Sequence, residues 1–234
     1  MASHDRASEA WNRTGALAGA AYVALTVVGN QLAAGGSSDP HPSGATDLTT
    51  LASTPGVVAQ LGSAIEFLGF IAFMFYLGWL VTTLRTRGGV ATWFASTAVI
   101  AGTVTVALKI SSIFPVIAGR LDHNSLSPSI ARVLADMNNV AFVVTFLTFG
   151  TFLAAVGAAF VVSRVMSRWF GWSAVAIGGG TIALTLLSGA DPINANALPF
   201  MLGLLWILVT GIVLAWRGVR AELPGEPTRI ATPA

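Results

Sequence analysis

Six stretches of this chain run for about 20 residues or more with almost no ionised side chain, the length a helix needs to cross a hydrocarbon layer. They cover roughly 14–33, 57–84, 90–118, 138–162, 169–188 and 197–216. In lipid every backbone amide must be satisfied within the protein, which restricts apolar runs of this kind to helices. Composition points the same way. Only 9% of residues are charged and 54% are hydrophobic, where soluble domains carry roughly 25% charged residues. So few charges cannot coat a surface that faces water. The sequence therefore predicts an all-α fold, a polytopic bundle of six transmembrane helices. Residues 1–13 form a polar cytoplasmic segment, 14–216 the membrane domain, and 217–234 a disordered cytoplasmic tail. The start of the chain, MASHDRASEAWNRTG, carries charges of both signs, so the first apolar run reads as a retained helix rather than a signal peptide.

The arginines set the orientation. Arg6 and Arg13 precede the first helix, Arg85 and Arg87 separate the second and third, Arg164 and Arg168 the fourth and fifth, and Arg217, Arg220 and Arg229 follow the sixth. The opposite side holds Arg120 and Arg132 only. Positive residues stay inside, so both termini are expected in the cytoplasm, with the protein in the cell membrane. The pI of about 9.7 does not imply nucleic acid, because the net charge is +2 and the arginines sit at helix ends. On the outer side, residues 33–56 are rich in Gly, Ser, Pro and Asp and read as a connector. Residues 127–135 (SPSIARVLA) read as a short interfacial helix before the fourth span, with Arg132 facing lipid phosphate or Asp136.

Most catalytic and cofactor chemistry finds no residues here. There is no cysteine, which excludes disulfides and thiol catalysis. His4, His41 and His123 all lie outside the spans, so paired haem ligands are missing. The loop residues Asp39, His41, Asp47, Asp122 and His123 lack metal-ligand spacing and read as solvated. The GGG at 178–180 lies within a helix, where it serves packing. No catalytic residue, cofactor or metal is assigned.

Residues 59–108 align without gaps on 135–184, an offset of 76. Phe70/Phe146, Phe73/Phe149, Leu77/Leu153, Gly102/Gly178 and Thr105/Thr181 are identical, as are the Trp-Phe pairs at 93–94 and 169–170. Tryptophan suits the point where a chain re-enters the membrane. The pattern predicts a parallel duplication of a helical hairpin.

Two charges break that frame. Glu66 matches Phe142, and Lys109 matches Thr185. A charge in hydrocarbon is costly unless it finds a partner, water or a proton. Each charge lies about nine residues from the outer end of its helix, roughly 13 Å along the axis. Both therefore fall at one depth, on adjacent antiparallel helices. Thr105 and Ser112 share the face of Lys109, and Asn138 and Asn139 begin the fourth helix from the same side. These six residues are the ligand-binding candidates. The pair can bind a ligand or carry a proton, and it can equally serve as an ion pair that fixes helix packing.

Several motifs carry a family resemblance. Arg13-Thr14-Gly15 leads into the first helix. Gly62-Ser63-Ala64-Ile65-Glu66 lies in the second, which ends near Tyr76 and Leu84-Arg85, and Ser167-Arg168-Trp169-Phe170-Gly171-Trp172 opens the fifth. The layout resembles a family of six-helix bacterial integral membrane proteins, common in actinobacteria and other soil bacteria, that share a domain of unknown function. The resemblance covers most of the chain and carries over Gly62, Glu66, Arg168 and Trp169. That family has an arginine and a glutamate close together in the third helix, where this chain has Lys109 and no acidic residue. It implies fold and membrane location and brings no activity.

These residues support a leading expectation and two alternatives. The first is binding or transport of a small polar or amphipathic molecule in an outward-facing cavity lined by Glu66 and Lys109. The second is an intramembrane enzyme acting on a lipophilic substrate, with Glu66 as general acid or base. The third is an accessory subunit bound to another membrane protein. The expected partners are the lipid bilayer, a small-molecule or lipid ligand, and a membrane-protein partner.

Overall fold

The computed structural model describes residues 2–33, 56–121, 127–188 and 192–217. Most of the connector over 33–56, the loop histidines His41 and His123, and the tail fall outside these residues. Among the described residues there are six helices: α1 (Ala2–Ala33), α2 (Val57–Arg85), α3 (Gly89–Leu121), α4 (Pro128–Ser163), α5 (Arg168–Leu187) and α6 (Pro192–Arg217). Each contains a stretch long and apolar enough to cross a membrane. The protein is thus a six-helix multi-pass bundle, as its apolar runs predict.

The helix ends differ from the sequence expectation in two places that matter. The separate interfacial helix expected over 127–135 is instead the opening of α4. Ser127 caps it, its hydroxyl accepting from the Ile130 amide at 3.4 Å, and Pro128 fills a first-turn position that needs no N–H donor. With no breaker between Pro128 and the apolar run, the helix continues. Likewise α1 begins at Ala2, so the polar segment before the first span is helical too.

Consecutive helices pack side by side, and α6 closes back on α1, so the six follow one another round a ring. The end where α1 begins and α6 finishes is called proximal below, and the opposite end distal. α2 and α4 turn the most side chain inward. Phe73, Tyr76 and Leu80 of α2 and Phe149, Phe152, Leu153 and Phe160 of α4 are all but fully buried. The outside is apolar as well, with Val28, Phe75, Ile100, Val140, Leu187 and Met201 exposed on six different helices. An apolar exterior around an apolar core suits lipid and not water.

The 76-residue offset reappears in the geometry. Two left-handed residues follow α2, Gly88 at φ 70° and Gly89 at φ 56°, and the counterpart of Gly88, Arg164, caps α4 at φ 55°. Leu77 packs on Gly102, and its counterpart Leu153 also borders Gly178, where the Gly150 and Ala154 backbone comes closer still. The two hairpins share a turn position and a packing register.

Candidate functional site: the Glu66–Lys109 pair

The backbone around Glu66 is fixed before its side chain is considered. Antiparallel α1 and α2 meet so closely that a Cβ on Gly29 would lie 2.6 Å from the Glu66 amide nitrogen and 2.8 Å from the Gly62 carbonyl oxygen. Small residues at such a crossing allow backbones to touch. Glu66 is thereby held on the inner face of α2 with Gly62, Gly69, Phe70 and Phe73, all buried, as helical spacing requires.

Lys109 reaches Glu66 across the α2–α3 interface, with Nζ 3.5 Å from Oε1. The carboxylate side chain is 10% exposed and the lysine side chain 23%. The same ammonium stands 4.6 Å from the centre of the Phe142 ring on α4, a distance at which the negative face of the ring attracts a cation. Glu66 and Phe142 are counterparts under the repeat. Equivalent positions of the two hairpins therefore converge on one lysine, one with an anion and one with a π face. Glu66 Oε1 is buried, and it meets Lys109 as an ion contact without a hydrogen bond.

Beside Lys109 lies a cavity with about 20 Å³ open to water, room for roughly one water molecule. Its polar lining comes from Tyr22 and Thr26 of α1, Thr105 and Lys109 of α3, and Thr145 of α4, and its apolar lining includes Phe70, Phe142 and Phe200. The Thr26 hydroxyl has no protein partner. Thr105 meets the Thr148 hydroxyl at 2.9 Å and the Ala101 carbonyl oxygen at 2.8 Å.

Of the six candidates, Glu66 and Lys109 meet directly and Thr105 lines the cavity with Lys109. Ser112 is buried but turns its hydroxyl back on its own helix, donating to the Lys109 carbonyl oxygen at 2.7 Å. Asn138 and Asn139 are half-buried about three turns into α4 and do not line the cavity. Sequence reasoning missed Tyr22, Thr26, Phe142 and Thr145. A signal existed for α1: Gly15, Gly19, Tyr22, Thr26 and Gly29 recur at alternating spacings of four and three, one inward stripe.

Below the cavity the bundle axis is closed by rings. Phe73 contacts Tyr22 at 4.4 Å and Phe152 at 5.3 Å, while Phe200 contacts Phe149 at 5.0 Å and Phe146 at 5.6 Å between centroids. On the proximal side of this septum, the Tyr76 hydroxyl, the Trp79 indole N–H and the Thr210 hydroxyl are buried without protein partners. The proximal half is thus less uniformly apolar than its sequence suggests. Among the described residues, no group of three His, Asp or Glu could hold a metal ion.

No protein-family model matches the chain, and no curated protein or solved structure is significantly similar to it.

Proposed function

We propose that the protein binds a small polar or amphipathic molecule at the Glu66–Lys109 pair, entering from the distal end, as part of its recognition or transport across a membrane. The observation that carries this reading is that the buried pair is held by an ion contact and a ring face, with no hydrogen bond on the contacting oxygen. Lys109 is partly exposed and held by a carboxylate and a ring, while Glu66 Oε1 lacks any hydrogen bond. A ligand with a cationic group and an acceptor can exchange with both halves. Its cation takes Glu66 and the Phe142 face, and its anionic or carbonyl group takes Lys109. The septum of phenylalanines stops such a ligand at the level of Tyr22 and Thr105. The reading includes a cell membrane as the location, termini in the cytoplasm, and the six-helix bacterial family that the motifs resemble.

A second reading is favoured by one observation: the cavity beside the pair has room for roughly one water. On that reading the ion pair fixes the packing of α2 on α3 in an accessory subunit. The enzyme alternative gains least, because Lys109 faces Glu66 and leaves it no separate substrate space.

Thermal unfolding of the purified protein with a panel of zwitterions, amino acids and a quaternary ammonium carboxylate, separates the first two. A ligand-dependent rise in Tm that vanishes in Glu66→Gln and in Lys109→Met supports binding. No shift with any member of the panel, together with a double variant as stable as the native chain, would leave the structural clamp.

A further inference from the structure

Among the described residues the helices divide into two halves. In the first, α1 packs backbone to backbone on both of its neighbours. A Cβ on Gly29 would lie 2.6 Å from the Glu66 amide nitrogen of α2, and one on Gly211 of α6 would lie 2.7 Å from the Ala16 carbonyl oxygen. In the second, α4 meets α5 as closely through Gly150, Gly157, Gly171 and Gly178. It also packs along α3, where the Thr105 and Thr148 hydroxyls meet at 2.9 Å. Two seams separate the halves, α5–α6 and α2–α3, on opposite sides of the ring. The α5–α6 seam is fastened twice. Asn196 donates to the Thr185 hydroxyl at 3.1 Å toward the distal end, and the Trp206 indole donates to the Phe170 carbonyl oxygen at 3.0 Å nearer the proximal end. The α2–α3 seam is looser, and its helices meet less than any other neighbouring pair. A turn through the left-handed Gly88 and Gly89 joins them proximally, with Arg85 donating to the Ser96 hydroxyl at 3.2 Å. Further out, the Glu66–Lys109 pair spans the seam. At 3.5 Å it is longer than the roughly 2.7–2.9 Å of a charge-assisted hydrogen bond. Lys109 is the more exposed partner, and its long apolar stem can carry the ammonium outward. Pro115 of α3 removes the amide that the Ser111 carbonyl oxygen would accept from, which weakens the helix between Lys109 and its distal end.

We infer that α2 and α3 part along their distal halves, with the Glu66–Lys109 pair as the latch, and that the gap admits a single-chain amphipathic amine from the surrounding lipid. A gap between two neighbours of a ring opens sideways, onto the bilayer. The cavity behind the pair is walled by the rings of Tyr22, Phe70, Phe73, Phe142 and Phe200, whose faces attract a cation. The ammonium of the amine takes the place of the Lys109 ammonium between Glu66 and Phe142. Its chain lies along the opened seam, so the small cavity need hold only the head. An alkyl carboxylate is refused because Glu66 repels it. The choice of an amine rests on ligand binding at the pair, whereas the parting of the helices does not.

The chain has no cysteine, so introduced cysteine pairs carry spin labels without background. Three pairs at exposed positions report distances by double electron–electron resonance in nanodiscs. Val28→Cys/Val140→Cys spans the halves distally, Leu17→Cys/Val162→Cys spans them proximally, and Val140→Cys/Leu187→Cys lies within one half. With Glu66→Gln and Lys109→Met added, the distal pair is expected to gain a longer population while the other two stay unchanged. With the charge pair intact, decylamine should produce the same longer population, and methylamine and decanoate should not. This second arm does not depend on the folding of the double variant. An unchanged distal distance in both arms overturns the parting of α2 and α3, whatever zwitterions do to the Tm. Equal lengthening of Val140→Cys/Leu187→Cys would reduce it to general loosening and overturn it too. Movement in the double variant with no response to decylamine, or with an equal response to methylamine or decanoate, overturns the lipid-borne amine as occupant.

Discussion

The hairpins α2–α3 and α4–α5 share a frame and hold themselves together differently. In α4–α5 the backbones touch. A Cβ on Gly157 would lie 2.5 Å from the Gly171 carbonyl oxygen, and one on Gly150 would lie 2.8 Å from that of Gly178. In α2–α3 the helices stand further apart, and the contact with Gly102 is made by the Leu77 side chain, 2.8 Å from a Cβ placed there. The space thus opened holds Glu66, Lys109 and part of the cavity lining. Backbone contact in one hairpin anchors the bundle. Side-chain contact in the other leaves room for polar groups, which is where a site can be built.

The largest effect should come from testing that difference directly. Gly178→Ala places a methyl against the Gly150 backbone, which cannot move without separating two helices. It should cost about 3 kcal/mol, at the upper end for overpacking. Gly102→Ala, its counterpart, presses on the end of a flexible leucine and should cost about 1 kcal/mol. Reversible unfolding in mixed micelles measures both. Equal costs would mean that the two hairpins are packed alike and that the comparison fails.

Next in size is the ion pair. Lys109→Met leaves Glu66 buried beside an apolar chain. Removing one partner of a fully buried pair costs about 3–5 kcal/mol, and the partial exposure of Lys109 reduces the expectation to about 2 kcal/mol. The double variant with Glu66→Gln should recover to within about 1 kcal/mol of the native protein, since neither side is then left charged and alone. Thr185, at the Lys109 position of the other hairpin, accepts a hydrogen bond from Asn196 of α6 at 3.1 Å. There a neutral hydroxyl makes a helix contact without any charge. If the double variant were as damaged as Lys109→Met, the lysine would be serving something other than Glu66.

Much of this was legible in the chain, and physics explains which parts. Six spans follow from the scarcity of charge, and the depth match of Glu66 and Lys109 follows from counting residues along antiparallel helices. The repeat was legible because Trp93-Phe94 and Trp169-Phe170 stand out against biased composition. The lateral arrangement was not. Hydropathy reports which residues avoid water, but in a bilayer both the lipid face and the core are apolar, so it cannot say which face of α1 turns inward. Tyr22 and Thr26 escaped for that reason, and only the glycines at their spacing betray the inward stripe. Asn138 and Asn139 are a different case. They are half-buried about three turns into α4, because that helix starts at Pro128, and they stand away from the cavity that Lys109 lines.

The smallest effect sharpens the comparison most finely. Tyr76 in the first hairpin corresponds to Phe152 in the second. Its ring packs between Phe73 and Trp79, with centroids 6.3 and 5.9 Å away, while its hydroxyl is buried without a protein partner. An unpartnered hydroxyl in an apolar core carries a desolvation penalty that phenylalanine lacks. Tyr76→Phe therefore makes the first hairpin more like the second and should raise stability by about 0.5–1 kcal/mol, with ring packing preserved. A loss of similar size would show the hydroxyl bound to internal water. In that case the polar character of the first hairpin extends past the aromatic septum, and the asymmetry between the hairpins runs the length of the bundle rather than ending at Glu66.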